Sequence, residues 1–169
     1  MTVMQLVAAG LWSFGASACC AVCFNAEKKD IVLGAVLGAA GWVIYDVFKA
    51  GGGTEALGYF AGAFAAAGFS EFLAVLLHRP ATVYLVPGII PLVPGGGIFY
   101  MMRAVVKGEF SEALSAGYGA LTAAVAIALG IAIASSTARI ITAAVKRPRK
   151  GNRRIDHRVY LPDDIDDQK

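Results

Sequence analysis

No charged residue occurs in the first 24 positions, and Asp, Glu, Lys and Arg together make up only 16% of the 169 residues. A soluble domain carries about a quarter charged residues, so this scarcity argues against a water-soluble globule. Histidine occurs only twice, and no His/Glu or His/Cys spacing suits zinc. No Gly-rich loop is followed by Lys-Ser or Lys-Thr, so the chain holds no P-loop, and an ATP-driven pump would need a separate subunit. No Ser-His-Asp set converges, no motif calls for a cofactor, and the chain reads as a non-enzyme. Cysteine is limited to Cys19, Cys20 and Cys23. An odd cluster at the end of an apolar run is not a disulfide framework; there cysteine acts as a small apolar residue. Met1 to Gly10 lacks the basic start of a secretory signal, so residues 2–24 are expected to be a mature span.

What is present is hydrophobic: 57% of the chain, rich in Ala and Gly. A bilayer core takes about 20 apolar residues as a helix. Five runs qualify: Thr2–Phe24, Ile31–Phe48, a third capped by Thr54 and ending at Leu77, Ala81–Met102, and Ala113–Val145. The expected class is all-α, a polytopic helical membrane domain over residues 1–145. Asn25 to Asp30 reads as a polar turn, Gly51–Gly53 as another, and Arg103 to Glu112 as a polar loop. Gly34, Gly38 and Gly41 share one face of the second run, the small-residue pattern of close helix contact. The fifth run is too long for a simple span and is expected to tilt or project near Arg139.

Charge gathers at the end. Lys146 to Arg158 holds seven of the fifteen Lys and Arg, and Leu161 to Lys169 is acidic. Residues 146–169 are expected to be a disordered cytoplasmic tail whose basic part fixes topology and touches anionic lipid, with no nucleic-acid role. With five crossings and the C-terminus inside, ten cations (Lys28, Lys29, Arg79 and seven in the tail) lie on the cytoplasmic side, and Lys49, Arg103 and Lys107 lie outside. The positive-inside rule therefore puts the N-terminus outside.

The fourth run carries the unusual chemistry. In Val86-Pro87-Gly88-Ile89-Ile90-Pro91-Leu92-Val93-Pro94-Gly95-Gly96-Gly97, three prolines each remove a backbone donor. Broken backbone at membrane depth persists only inside protein or beside a water-filled cavity, and transporters build binding sites from it. Free amides are expected at a segment beginning at Ile98, where a helix N-terminus suits a carboxylate. The expected solute-binding set is Pro87, Gly88, Pro91, Pro94, Gly95, Gly96 and Gly97. Glu71 lies about six residues from the end of the third run. It reads either as a proton carrier or as a carboxylate near enough to the cytoplasmic face to stay wet or to pair with Arg79. Asp46, beside Trp42 and Tyr45, is expected to be a wet carboxylate at the outer surface. Arg103 reads as an interface cation and His78 as an exposed turn residue. Ser135, Ser136 and Thr137 are expected to bond their own helix.

The Pro-Gly run resembles the signature of the threonine/serine exporter family, and residues 1–145 look like its small, C-terminal-half subunit. The tail has no counterpart in that resemblance. It implies export of small carboxylate-bearing metabolites, threonine and serine or dicarboxylates such as succinate, driven by the proton gradient. It also implies a larger membrane partner resembling the N-terminal half, in the cell membrane. Five helices are few for a complete pathway, so a homo-oligomer is also allowed. The rival reading is an accessory subunit that stabilises or regulates the partner and binds no solute.

Overall fold

The computed structural model describes residues 3–145, and all of its regular structure is helical. The expected tail, 146–169, lies outside the described residues. Six helices follow in order: α1 Val3–Cys23, α2 Lys28–Ala50, α3 Glu55–Leu77, α4 Thr82–Ile89, α5 Gly95–Lys107 and α6 Phe110–Val145, with a 3₁₀ turn at Ile90–Leu92 between α4 and α5. Four of these (α1, α2, α3 and α6) are long and apolar enough to cross a membrane. The α4–α5 pair makes a fifth if counted as one broken span, and it bends by 47°.

Local chemistry places the reversals. Asn25, at φ 54°, turns the chain between α1 and α2; asparagine tolerates this left-handed region. Thr54 caps α3 by accepting from the Leu57 N–H, and the Lys49–Glu55 ion pair (2.6 Å) closes the same turn. His78 ends α3 in the left-handed conformation, and the Arg79 N–H returns to the Ala74 carbonyl. Pro80 then prevents α3 from resuming.

Two boundaries differ from expectation. Arg103 to Lys107 belongs to α5, and only Gly108 and Glu109 separate it from α6, which starts at Phe110. The charges there suggested a loop, but a helix end at an interface accommodates them, and Gly108 makes the turn at φ 79°. Asp30 lies in the first turn of α2 and is buried rather than part of a polar turn. The length of α6, 36 residues, is about 54 Å of helix, well beyond a hydrocarbon core of about 30 Å.

The bundle is held by small residues. Ala21, Ala35, Ala63, Ala66 and Ala67 are buried, while Trp12, Phe72, Val106 and Leu114 face outward. This is the arrangement lipid favours, because bulky apolar side chains gain nothing by leaving it and small ones let backbones approach. α2 and α3 cross at Gly41 and Gly62, where a Cβ on Gly62 would stand 2.6 Å from the Gly41 carbonyl oxygen. α3 and α6 cross at Gly130, where a Cβ would stand 2.7 Å from the Phe60 carbonyl oxygen. Among the described residues, Tyr84 and Leu92 are the largest side chains fully buried, and both come from the broken segment. The interrupted span is thus the filling of the bundle.

Candidate functional site

The break follows from covalent structure. Pro91 has no N–H to offer the Pro87 carbonyl, the acceptor four residues before it. Pro94 likewise offers nothing to Ile90, whose carbonyl takes the Val93 N–H instead (3.2 Å). The carbonyl side of the break is walled by α2. A Cβ on Gly38 would lie 3.3 Å from the Pro87 oxygen, and one on Gly41 would lie 3.7 Å from the Gly88 oxygen. Pro87 also packs on Gly34. The three-glycine face of the second run therefore receives the broken helix. Ser17 of α1 closes the same spot; its hydroxyl is fully buried, has no hydrogen-bond partner and abuts Gly38.

The amide side is open. α5 starts at Gly95, three residues earlier than the Ile98 start expected from the sequence, because glycine enters the helical region as readily as it leaves it. No side chain caps this end. The Gly95 N–H turns back to the Val93 carbonyl (2.7 Å), and Ile98 donates to Pro94 (3.3 Å). The Gly96 and Gly97 amides fall in the first turn, where a helix has no acceptor for them. Gly95 and Gly96 are exposed, with nothing within 4 Å of the position a Cβ would take, whereas Gly97 rests on Ala120 of α6. Pro91 and Pro94 are half-buried. Of the seven residues, Pro87 and Gly88 are packed, Gly95 and Gly96 are open, and Pro91, Pro94 and Gly97 lie between the two.

At the start of α4 the structure assembles a cluster that the sequence pattern does not indicate. The Tyr84 hydroxyl donates to Asp30 Oδ1 (2.7 Å). Arg79 donates to Glu27 Oε2 (2.5 Å) and stands 4.0 Å from Asp30 Oδ2. Asp30 is 5% exposed. Glu27 holds the Arg79 guanidinium pKa above its ordinary value, chiefly through this hydrogen bond. A cavity of about 410 Å³ runs from Glu27, Asp30 and Arg79 to Val86 and Pro87. The available signal was a carboxylate and an arginine at two loops on the same side of the bundle, but sequence alone does not bring residues 52 positions apart together.

Glu71 is half-buried and lines a groove of about 430 Å³ between α3 and α6, with Phe64, Phe72 and Thr137. The pairing weighed for it with Arg79 is not made; that cation is held by Glu27 and Asp30. Asp46 overturns its expectation. It is 4% exposed, and its Oδ2 has no hydrogen-bond partner. Depth along the helix suggested a wet carboxylate, but its position around the helix turns it inward beside buried Tyr45. Arg103 and His78 are exposed, and Thr137 donates to the Ile133 carbonyl of its own helix.

These features define a polytopic helical membrane protein with one crossing interrupted inside the bundle. The sequence profile described as threonine/serine exporter, ThrE, matches residues 9–137, and the chain belongs to that family of membrane transporters. No curated protein and no solved structure matches it.

Proposed function

We propose that the chain is the small subunit of a secondary exporter of carboxylate-bearing metabolites, threonine and serine or dicarboxylates such as succinate, working with a larger membrane partner. The observation that carries this reading is the uncapped start of α5, where the Gly96 and Gly97 amides have no capping side chain and Gly95 and Gly96 are exposed. A helix N-terminus carries about half a positive charge, and a carboxylate there satisfies the amides. Export proceeds by alternating access around this break. Glu71 is the proton carrier, and the partner covers the groove in which it lies. The cell membrane is the site of action, with the N-terminus outside. That orientation places the cavity at Glu27, Asp30 and Arg79 on the cytoplasmic side, where an exporter loads.

The test is flux from vesicles reconstituted with this chain and its partner, using labelled threonine, serine and succinate under a pH gradient. Gly95 and Gly96 have room for a larger side chain, so Gly96→Leu should fold normally, yet block the amides and cut flux by about ten-fold or more. Full flux in Gly96→Leu rejects the half-helix site. Glu71→Gln should retain solute exchange between two loaded compartments and lose acceleration by the pH gradient; retained acceleration removes Glu71 from coupling. The accessory reading differs in expecting the partner alone to transport.

A further inference from the structure

We infer that the cavity at the mouth of α4 is a binding site for a free α-amino acid, in which Arg79 takes the carboxylate and Asp30 the ammonium. This assignment rests on the exporter reading and sharpens it, because it selects zwitterions over dicarboxylates. An α-amino acid carries both charges on one carbon, so its site needs a cation and an anion side by side. Arg79 Nη1 and Asp30 Oδ2 stand 4.0 Å apart on the wall of the 410 Å³ cavity.

The two groups differ in how firmly they are held. Asp30 is buried and fixed by the Tyr84 hydroxyl, so it is a preset acceptor. A buried carboxylate with one hydroxyl and an arginine at 4.0 Å is still short of positive charge, and an ammonium supplies it. Arg79 is 42% exposed at its side chain and occupied by Glu27, itself 62% exposed. Exposed pairs of this kind are weak in water, so an incoming carboxylate displaces Glu27 at little cost. Glu27 is thus an internal stand-in for the solute's carboxylate. Lys28 and Lys29 border the adjoining cleft and raise the local concentration of anionic groups. A dicarboxylate brings its second negative charge against Asp30 and Glu27 and is disfavoured. The cavity ends at Val86 and Pro87, so a solute held here already touches the interrupted helix.

Calorimetric titration of the full chain in detergent tests this, with L-threonine, succinate, N-acetyl-L-threonine and L-threoninamide as probes. Threonine should bind, and the three probes lacking the ammonium or the free carboxylate should bind at least about ten-fold more weakly, as for loss of a charged hydrogen bond. Asp30→Asn and Arg79→Gln should weaken threonine by a similar factor. Glu27→Gln removes the competitor and should tighten threonine up to about five-fold, a gain that a merely structural Glu27 does not produce. Absence of threonine binding, equal binding of succinate or N-acetyl-L-threonine, or unchanged or weaker binding to Glu27→Gln overturns the site. The exporter reading fails separately: it falls if the reconstituted vesicles move none of the labelled solutes. Flux of succinate without threonine leaves the exporter standing and removes this site.

Discussion

Gly62→Ala should be among the most damaging single methyl additions in the bundle. The new Cβ would stand 2.6 Å from the Gly41 carbonyl oxygen and 3.3 Å from both terminal methyls of Leu92. Leucine methyls shift, but a carbonyl held in the α2 backbone moves only with its helix. Overpacking commonly costs about 1–3 kcal/mol, and backbone meeting a fixed Cβ belongs at the upper end. A natural domain has only about 5–15 kcal/mol in hand. The separation of α2 from α3 also loosens Leu92 and with it the break. Gly68→Ala is the control, because it lies in the same helix with nothing within 4 Å. It should be neutral or gain up to about 1 kcal/mol of helix propensity. Thermal unfolding in detergent compares the two, and equal midpoints would disprove the close-crossing account.

Tyr84→Ala should be the most costly truncation in the broken segment. Tyr84 is fully buried and ties α4 to α2 through Asp30. In a membrane the transfer part of the usual core penalty shrinks, since lipid is as apolar as the interior. The cavity part remains, because the neighbours close only partly around the void. Loss of the hydroxyl adds the cost of a buried carboxylate left short of a donor, about 1–3 kcal/mol. The sum is about 3–5 kcal/mol, in line with aromatic truncations elsewhere. Tyr84→Phe separates the two parts, since it keeps the ring and removes only the bond to Asp30. It should cost about 1–3 kcal/mol, and the same unfolding measurement reads it. If Tyr84→Phe matches wild type, Asp30 does not depend on this donor.

The sequence made the spans legible because hydropathy reports depth. The five runs, the break at Pro87 to Pro94 and the glycine face at Gly34, Gly38 and Gly41 all follow from composition and spacing. Hydropathy does not report azimuth. In this bundle most inward residues are alanine, glycine and serine, with a few larger ones such as Tyr45, Tyr84 and Leu92, and the outward ones are largely apolar, so both faces read as hydrophobic. Height alone therefore assigns Asp46 to water, although it faces the interior. Asp30 reads as part of a turn because its partners, Tyr84 and Arg79, come from a segment 49 or more residues away. The half-helix start at Gly95 is not legible, because three glycines carry no preference for where the helix resumes. The candidate site was legible as a break, and its charged mouth was not.

The contact between α4 and α2 has a mechanical consequence. Where helices interlock by large side chains, one moves along the other only by unseating knobs from holes. Here the carbonyls of Pro87 and Gly88 lie against bare glycine backbone, and the larger groups seated on that face are the Pro87 ring on Gly34 and Leu92 on Gly41. The surface permits shear, the small sliding of packed helices by which many closures occur, and the directional bond that such a slide strains is the one from Tyr84 to Asp30. The joint meets bare backbone at Pro87 and Gly88 and is latched at Tyr84.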